Sequence, residues 1–298
     1  MGFLQNYSIQ HWLESCPQGY LEDTYYGHHE GEVEPTALLE DELLRNQAIG
    51  TSVQLVVGER AALAASSGLI NCAPDHYSKC FLSTQTLDEA RHVEVFTHRL
   101  YDLGIKKADL ESTIERYANP DLVKFAEILL EKVDKKDFFA GVVGQNIILE
   151  GMAFSVFELL RSANIQFNPK FAHTLDGTIA DERRHVGFGE NRIGSLLQQF
   201  PERKAEIEGM QRDMSYHMLA AFAGQLRSRD RREEIKRVKE TAAQAPPDPQ
   251  RTQSTWKGKV VADLAPEEIE ELLSDTVLSE FKKRLGRIGL DYQTPTRP

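Results

Sequence analysis

Two five-residue strings constrain this chain more than any other feature: Asp88-Glu89-Ala90-Arg91-His92 and Asp181-Glu182-Arg183-Arg184-His185. Each sets a Glu and a His at i and i+3, which share a face on a helix. One helix can therefore offer a metal ion a carboxylate oxygen and an imidazole nitrogen together. Two further acids stand in apolar surroundings. Glu59 lies in Leu55-Val56-Val57-Gly58-Glu59-Arg60-Ala61-Ala62-Leu63, and Glu150 in Ile147-Ile148-Leu149-Glu150-Gly151-Met152-Ala153-Phe154. An unpaired buried carboxylate is costly, and a metal ion removes that cost by supplying the opposite charge. Taken singly these signals are weak: a lone Glu-x-x-His is common on solvated helices, and Glu59 alone could pair with Arg60. Their order along the chain is Glu, Glu-x-x-His, Glu, Glu-x-x-His, so that four helices can each turn a carboxylate, and two of them an imidazole as well, to one buried pair of metal ions.

The charge balance agrees. Four carboxylates and two neutral imidazoles carry about −4, which two divalent ions offset; oxygen and nitrogen donors together suit iron or manganese, and the lack of a Cys ligand argues against structural zinc. Spacing agrees as well. Glu59 to Glu89, and Glu150 to Glu182, are each separated by the length of one helical hairpin, and the longer gap from His92 to Glu150 allows a crossover connection.

Apolar periodicity predicts helices throughout and no convincing strand, so the class is all-α. The first helix runs from about Pro35 to Ile70 and the second from about Pro74 to Leu103. Shorter connecting helices cover 107–117 and 121–137, split by Asn119-Pro120. Long helices follow over about 138–163, from Asn168-Pro169 to about Phe200, and from Pro201 to about Ala243; a last one spans Pro266 to about Leu285. The domain reading is an N-terminal arm (1–35), a helical bundle carrying the metal site and accessory helices (36–243), a Pro-rich linker (244–254) and a C-terminal helical tail (255–298). The tail helix is amphipathic and could dock on its own bundle or on a partner subunit, a second copy of the chain included.

The formal net charge of −11 argues against nucleic acid as a partner, because phosphate binding needs clustered Lys and Arg. No apolar run reaches the ~20 residues a membrane span needs, and the N-terminus has no signal-peptide pattern. The three cysteines, Cys16, Cys72 and Cys80, form no disulfide framework. These features predict a cytoplasmic protein with no membrane partner.

On these motifs, over roughly residues 36–200, the chain resembles the ferritin-like di-iron carboxylate superfamily: bacterial multicomponent monooxygenase hydroxylases, acyl-carrier-protein desaturases, and the ribonucleotide reductase small subunit with its ligand-binding oxidase relatives. The resemblance implies a ferritin-like four-helix bundle with additional helices. It implies two iron ions, with manganese–iron as the alternative, held by Glu59, Glu89, His92, Glu150, Glu182 and His185, and no catalytic residue beyond these ligands. Asp88 would bond His185 and Asp181 would bond His92, fixing the imidazoles, while Arg91 and Arg184 balance the aspartates. The implied activity is that of a dioxygen-dependent oxidase or monooxygenase on a small, largely apolar organic substrate. No flavin, nicotinamide or iron–sulfur motif is visible, so electrons would come from an external donor protein or from the substrate. Helix geometry one turn either side of the ligands suggests pocket walls at Leu55, Val56, Ala62, Leu63, Phe96, Asn146, Ile147, Ala153 and Phe154.

Departures matter. Phe96 stands where the reductase subunit carries its radical Tyr, which weakens the alternative of a radical protein. The ligand-binding oxidases cross-link two positions that are Ala62 and Gln145 here, so that bond cannot form as usual. Thr178 replaces the third His of arylamine oxygenases, and Phe154 replaces a Thr common in the hydroxylases. Iron storage or detoxification is a further alternative, but two pentads and extra helices count against it. His28-His29 could be an accessory metal site, though a solvated loop is the plainer reading; His76, His98, His173 and His217 read as packing or surface residues, and Tyr25 and Tyr26 could cover the site from the arm.

Overall fold

Helix α1, Thr36–Glu40, stops at Asp41, whose backbone is extended. Its carboxylate then accepts from the N–H groups of Leu43 and Leu44 at 2.9 and 3.1 Å, starting α2, Glu42–Ile70. The single helix expected from Pro35 is thus two: the winding breaks at the extended Asp41, whose side chain satisfies the N–H groups that the break leaves without a partner. The computed structural model describes residues 26–226, 229–243 and 254–295. Most of the expected arm and nearly all of the linker lie outside these.

Helix α3, His76–Asp102, is capped by Asp75. A 3₁₀ turn at Lys107–Asp109 leads to α4, Leu110–Tyr117, and then α5, Pro120–Asp134, which has Asn119 as its cap and Pro120 in its first turn. Helix α6, Phe138–Asn164, contains a π-helical segment, Val143–Leu149. Helix α7 is Pro169–Gln199, with Asn168 accepting from the Phe171 N–H at 3.1 Å. The stretch expected as one helix from Pro201 is a 3₁₀ turn at Pro201–Arg203 followed by α8, Lys204–Leu226, and α9, Arg229–Ala243. The expectation of no strand also needs correction. Two short strands, β1 Thr255–Trp256 and β2 Lys259–Val260, pair antiparallel through Lys257-Gly258, both at positive φ as a two-residue hairpin turn requires. Helix α10, Pro266–Arg287, completes the chain, giving ten helices among the described residues.

Helices α2, α3, α6 and α7 form the bundle. Its apolar core is in two parts. One holds Leu44, Val53 and Val56 of α2, Val95 and Phe96 of α3, Phe157 of α6 and Phe171 of α7. The other holds Ala65 and Leu69 of α2, Phe81 of α3, Ile147 and Ile148 of α6 and Phe188 of α7. Between them, on all four helices, stand the buried acids and imidazoles. The order in which each helix meets the two parts gives the topology. Helices α2 and α3 are antiparallel, as are α6 and α7, whereas α3 and α6 run the same way, so α4 and α5 carry the chain back along the bundle.

The tail helix docks on its own bundle. Phe281 and Leu285 of α10 are buried in the core, and Arg284 and Arg287 both reach Glu190 of α7, at 2.8 and 2.6 Å. By length and apolarity Glu42–Ile70 and Phe138–Asn164 could each span a bilayer, which the sequence reading did not expect. Yet the apolar window of Phe138–Asn164 is 83% buried inside the protein, so that surface is already committed to the core.

Helices α6 and α7 pack tightly at Gly189. A Cβ there would lie 2.5 Å from Asn146 Cβ and 3.2 Å from Ile147 Cδ1. Asn146 Cβ belongs to the stem of its side chain and cannot swing aside, so Gly189→Ala should destabilise the fold by about 1–3 kcal/mol, as overpacking does. A denaturant midpoint equal to the wild type would show that this contact is looser than drawn.

Candidate metal centre

Helix periodicity brings each Glu–His pair to the inner face of its helix, and the hairpin lengths bring the four helices' acids to one level. All six expected donors meet there. Among the described residues, Glu59, Glu89, His92 and Glu182 bring one donor atom each within 4.8 Å of one another, and so do Glu89, Glu150 and His185. His92 Nδ1 faces Glu59 Oε2 at 3.3 Å, Glu89 Oε2 at 3.4 Å and Glu182 Oε1 at 3.6 Å. His185 Nδ1 faces Glu89 Oε1 at 3.2 Å, Glu182 Oε2 at 3.5 Å and Glu150 Oε1 at 3.9 Å. Glu89 and Glu182 each turn one oxygen to either imidazole, so they lie between the two halves. Glu59 belongs to the His92 half and Glu150 to the His185 half.

The outer nitrogens are held crosswise. His92 Nε2 lies 3.1 Å from Asp181 Oδ2, and His185 Nε2 lies 3.2 Å from Asp88 Oδ2. Arg91 pairs with Asp181 and Arg184 with Asp88. Each pentad's Asp thus serves the His and Arg of the other pentad. An Asp accepting from Nε2–H leaves the Nδ1 lone pair directed at the acids, the tautomer a metal ligand needs. If Asp181 acts in this way, Asp181→Asn should weaken metal binding by roughly 10–100-fold with the fold intact. Its amide offers no full charge to His92 and leaves Arg91 without its partner. Wild-type affinity in that variant, measured by competition with a chelator, would remove Asp181 from this role.

The centre's electrostatics call for cations. Burial, together with Glu182 and Glu89, pushes the Glu59 carboxyl up to about 8. Burial, then Glu182 and Glu89, raises Glu150 well above the carboxylate range, and burial with Glu89 raises Glu182. Burial opposes a charged His92, but the Glu59 carboxylate beside it prevails and lifts the imidazole to about 9. Burial would likewise raise Glu89, yet His185 and His92 hold it well below the usual value. Among the described residues Glu89 Oε2, Glu182 Oε2 and His185 Nδ1 are buried without a hydrogen-bond partner. Unpartnered donor atoms turned inward, in a set of four acids and two imidazoles, fit two divalent ions.

Three amides surround Glu150; sequence reasoning names Asn146 only as a pocket wall and Gln145 only as a departure from the oxidases, and does not name Gln85. Gln85 Nε2 donates to Glu150 Oε1 at 2.6 Å, Gln145 Nε2 to the same oxygen at 3.1 Å, and Asn146 Nδ2 to Oε2 at 3.0 Å. The signal for Gln85 was its place four residues before Glu89, on the same helix face. Gln145 Nε2 also donates to the Ala62 carbonyl at 3.1 Å, so the two positions flagged as the site of a cross-link are joined by a hydrogen bond.

A cavity of about 80 Å³ opens beside the acids, with Glu59, Glu150 and Glu182 in its wall. Of the expected pocket residues Leu55, Ala62 and Ala153 line it; Val56, Leu63, Phe96, Asn146, Ile147 and Phe154 do not. The cavity lies where α5 and α8 close over α2 and α6, and so takes in Leu122, Met218 and Phe222. Val56 and Phe96 point into the core instead, Asn146 turns to Glu150, and Phe154 lies beneath the guanidinium groups of Arg183 and Arg284.

The remaining histidines among the described residues stand apart from both donor groups. Tyr26 stacks on His98 at 3.9 Å, which itself faces Asp102; Tyr25 lies outside the described residues. His28 is buried, not solvated as the loop reading had it, and His29 meets His173, which bonds Glu32 at 2.7 Å. Neither His28 nor His29 joins a group of three close donors.

No family model matches the chain, and no curated protein matches it by sequence. Solved structures are similar to it. An R2-like ligand-binding oxidase variant with an aerobically reconstituted Mn/Fe cofactor shares 18% identity over 97% of this chain and 94% of that one, with a TM-score of 0.69. An R2-like ligand-binding oxidase after photoconversion gives 17%, 97%, 94% and 0.66, and a variant with an Fe/Fe cofactor 16%, 97%, 94% and 0.66. At such identities the likeness is one of fold, and the chain has the all-α, ferritin-like fold of these oxidases.

Proposed function

We propose that this chain is a dioxygen-dependent oxidoreductase holding two iron ions, or manganese and iron, and acting on a small, largely apolar organic substrate. One observation carries the reading: three of the candidate ligands, Glu59, Glu150 and Glu182, form the wall of a cavity that is otherwise mostly aliphatic and aromatic. A storage or structural metal site has no need of such a chamber. The Mn/Fe and Fe/Fe cofactors named for the similar oxidases support the choice of metals.

When bound, two reduced ions supply electrons to dioxygen. The chain's own residues would hold and orient them: His92 and His185 through Nδ1, Glu89 and Glu182 from between the two imidazoles, with Asp88 and Asp181 keeping the protons on Nε2. Leu55, Ala153 and Phe157 exclude water and press an apolar group toward the carboxylates. Thr51 and Leu160 line both this chamber and a cavity of about 350 Å³, which offers a route inward. An external protein would return electrons. We place the protein in the cytoplasm, where the free Cys72 and Cys80 would stay reduced.

The test is direct. Protein loaded anaerobically with ferrous iron should carry about two ions per chain by elemental analysis. On mixing with oxygen it should consume the gas, and with an electron donor it should convert an apolar substrate in repeated turnovers. Protein that holds two ferrous ions and leaves oxygen untouched would refute the oxidase reading.

A further inference from the structure

The two halves of the centre are not equivalent in what surrounds them. Glu150 is held at both oxygens, by Gln85 and Gln145 on Oε1 and by Asn146 on Oε2. Among the described residues Glu59, its counterpart, has only His92 Nδ1 within hydrogen-bond distance, and that nitrogen faces the centre. All three amides are fully buried, so no water competes for these bonds. The amides are themselves anchored: Gln145 to the Ala62 carbonyl, Gln85 to Glu89 at 3.2 Å, and Asn146 to Gln85 Oε1 at 3.1 Å and the His185 carbonyl at 3.2 Å. Helix α2, helix α3 and helix α7 all contribute to holding a side chain of α6.

The π segment is what makes this feasible. In an α-helix the residue four before Glu150 shares its face, but the residue five before points well away. In the π segment hydrogen bonds run i→i+5, and the Glu150 N–H donates to the Gln145 carbonyl. One widened turn brings Gln145 and Asn146 to Glu150 together, one on each oxygen. A continuous α-helix would leave Gln145 facing elsewhere and Glu150 Oε1 with Gln85 alone.

We infer that Gln85, Gln145 and Asn146 form an amide clamp, built on the π turn, that fixes Glu150 as the rigid terminal carboxylate of the His185 half and leaves Glu59 as the adjustable one. These are positioning residues, since they touch Glu150 and not the ion. The inference rests on the two-ion reading of the site. Its consequence is unequal metal affinity: the His185 half is preorganised, whereas the His92 half must order Glu59 as its ion enters.

Gln85→Met and Gln145→Met each remove one donor to Oε1 at nearly constant volume. Anaerobic titration with ferrous iron against a chelator reads two binding steps, and near-infrared circular dichroism of the ferrous ions reads the coordination of each. In Gln145→Met one step should weaken by roughly 10–100-fold, with the bands of one ion altered and the other step near wild type; Gln85→Met, which also frees the shared Glu89, should weaken that same step more than the other. Melting of the metal-free variants separates this from a general loss of structure. Two unchanged steps in both variants, or two steps weakened equally alongside a lowered metal-free melting temperature, would overturn the clamp. Wild-type protein that binds fewer than two ions would defeat the site reading itself, whereas two wild-type ions with unaffected variants would defeat the clamp alone.

Discussion

Glu89→Ala is expected to leave the protein with no tightly held ion, and His185→Ala with at most one. Glu89 places one oxygen 3.4 Å from His92 Nδ1 and the other 3.2 Å from His185 Nδ1, so its loss strips a donor from both halves. His185 serves only its own half, where Glu150 and the shared acids would remain. Loss of an outer partner of a ligand alone costs roughly 10–100-fold in affinity, and loss of the ligand should exceed that. His98→Ala is the contrast. That ring sits against Tyr26 and Asp102 and outside both donor groups, so two ions should remain. Elemental analysis of the three iron-loaded variants checks the set. A variant that lost metal at His98 and kept it at His185 would mean that the bundle's helices are paired at the wrong level. Helical circular dichroism should be nearly unchanged in all three, because the apolar parts of the core on either side of the acids remain whole.

Metal binding should also release protons and strengthen as pH rises. In the metal-free centre Glu59 is lifted to about 8 by burial and His92 to about 9 by its carboxylate neighbours. At pH 7, below both values, the pair holds at least one proton that an ion must displace, since the ion needs an ionised carboxylate and a neutral imidazole. The sign follows: protons compete with metal below these values and cease to above them. Affinity should climb by about tenfold per pH unit for each proton displaced, from pH 6 toward 9, and then level. Calorimetry in two buffers of different ionisation heat counts the protons, and chelator competition across the range gives the slope. A flat affinity from pH 6 to 9 would show that the centre is already deprotonated without metal.

Much of this centre was legible because its rules are local. Glu89 with His92, and Glu182 with His185, meet by helix spacing alone, and Glu59 and Glu150 stood out as acids in apolar runs. Asn119-Pro120 and Asn168-Pro169 mark helix starts by cap chemistry that needs no partner. What stayed hidden depended on other elements. Asp41 splits the first helix because its carboxylate caps α2, an outcome that apolar periodicity does not register. Val56 and Phe96 were equally close to the ligands in sequence as Leu55 and Ala62, but helices α5 and α8 decide which side has room. Phe154 turned out to serve two arginines, one of them from the distant α10.

Sequence by itself determined the helical class, the six donors and their order, because each depends on side-chain chemistry and a 3.6-residue period. Tertiary structure alone decided how those donors differ. The crosswise bonds of Asp88 and Asp181, the place of Glu89 and Glu182 between the two imidazoles, and the three amides on Glu150 all join residues far apart in the chain. The π turn in α6 is the clearest case. A hydrophobic run such as Val142-Val143-Gly144 through Ile147-Ile148-Leu149 shows no period that separates an α from a π winding. Packing around Glu150 selects the wider turn, since it adds Gln145 as a second donor on Oε1 of a buried acid while keeping Asn146 on Oε2.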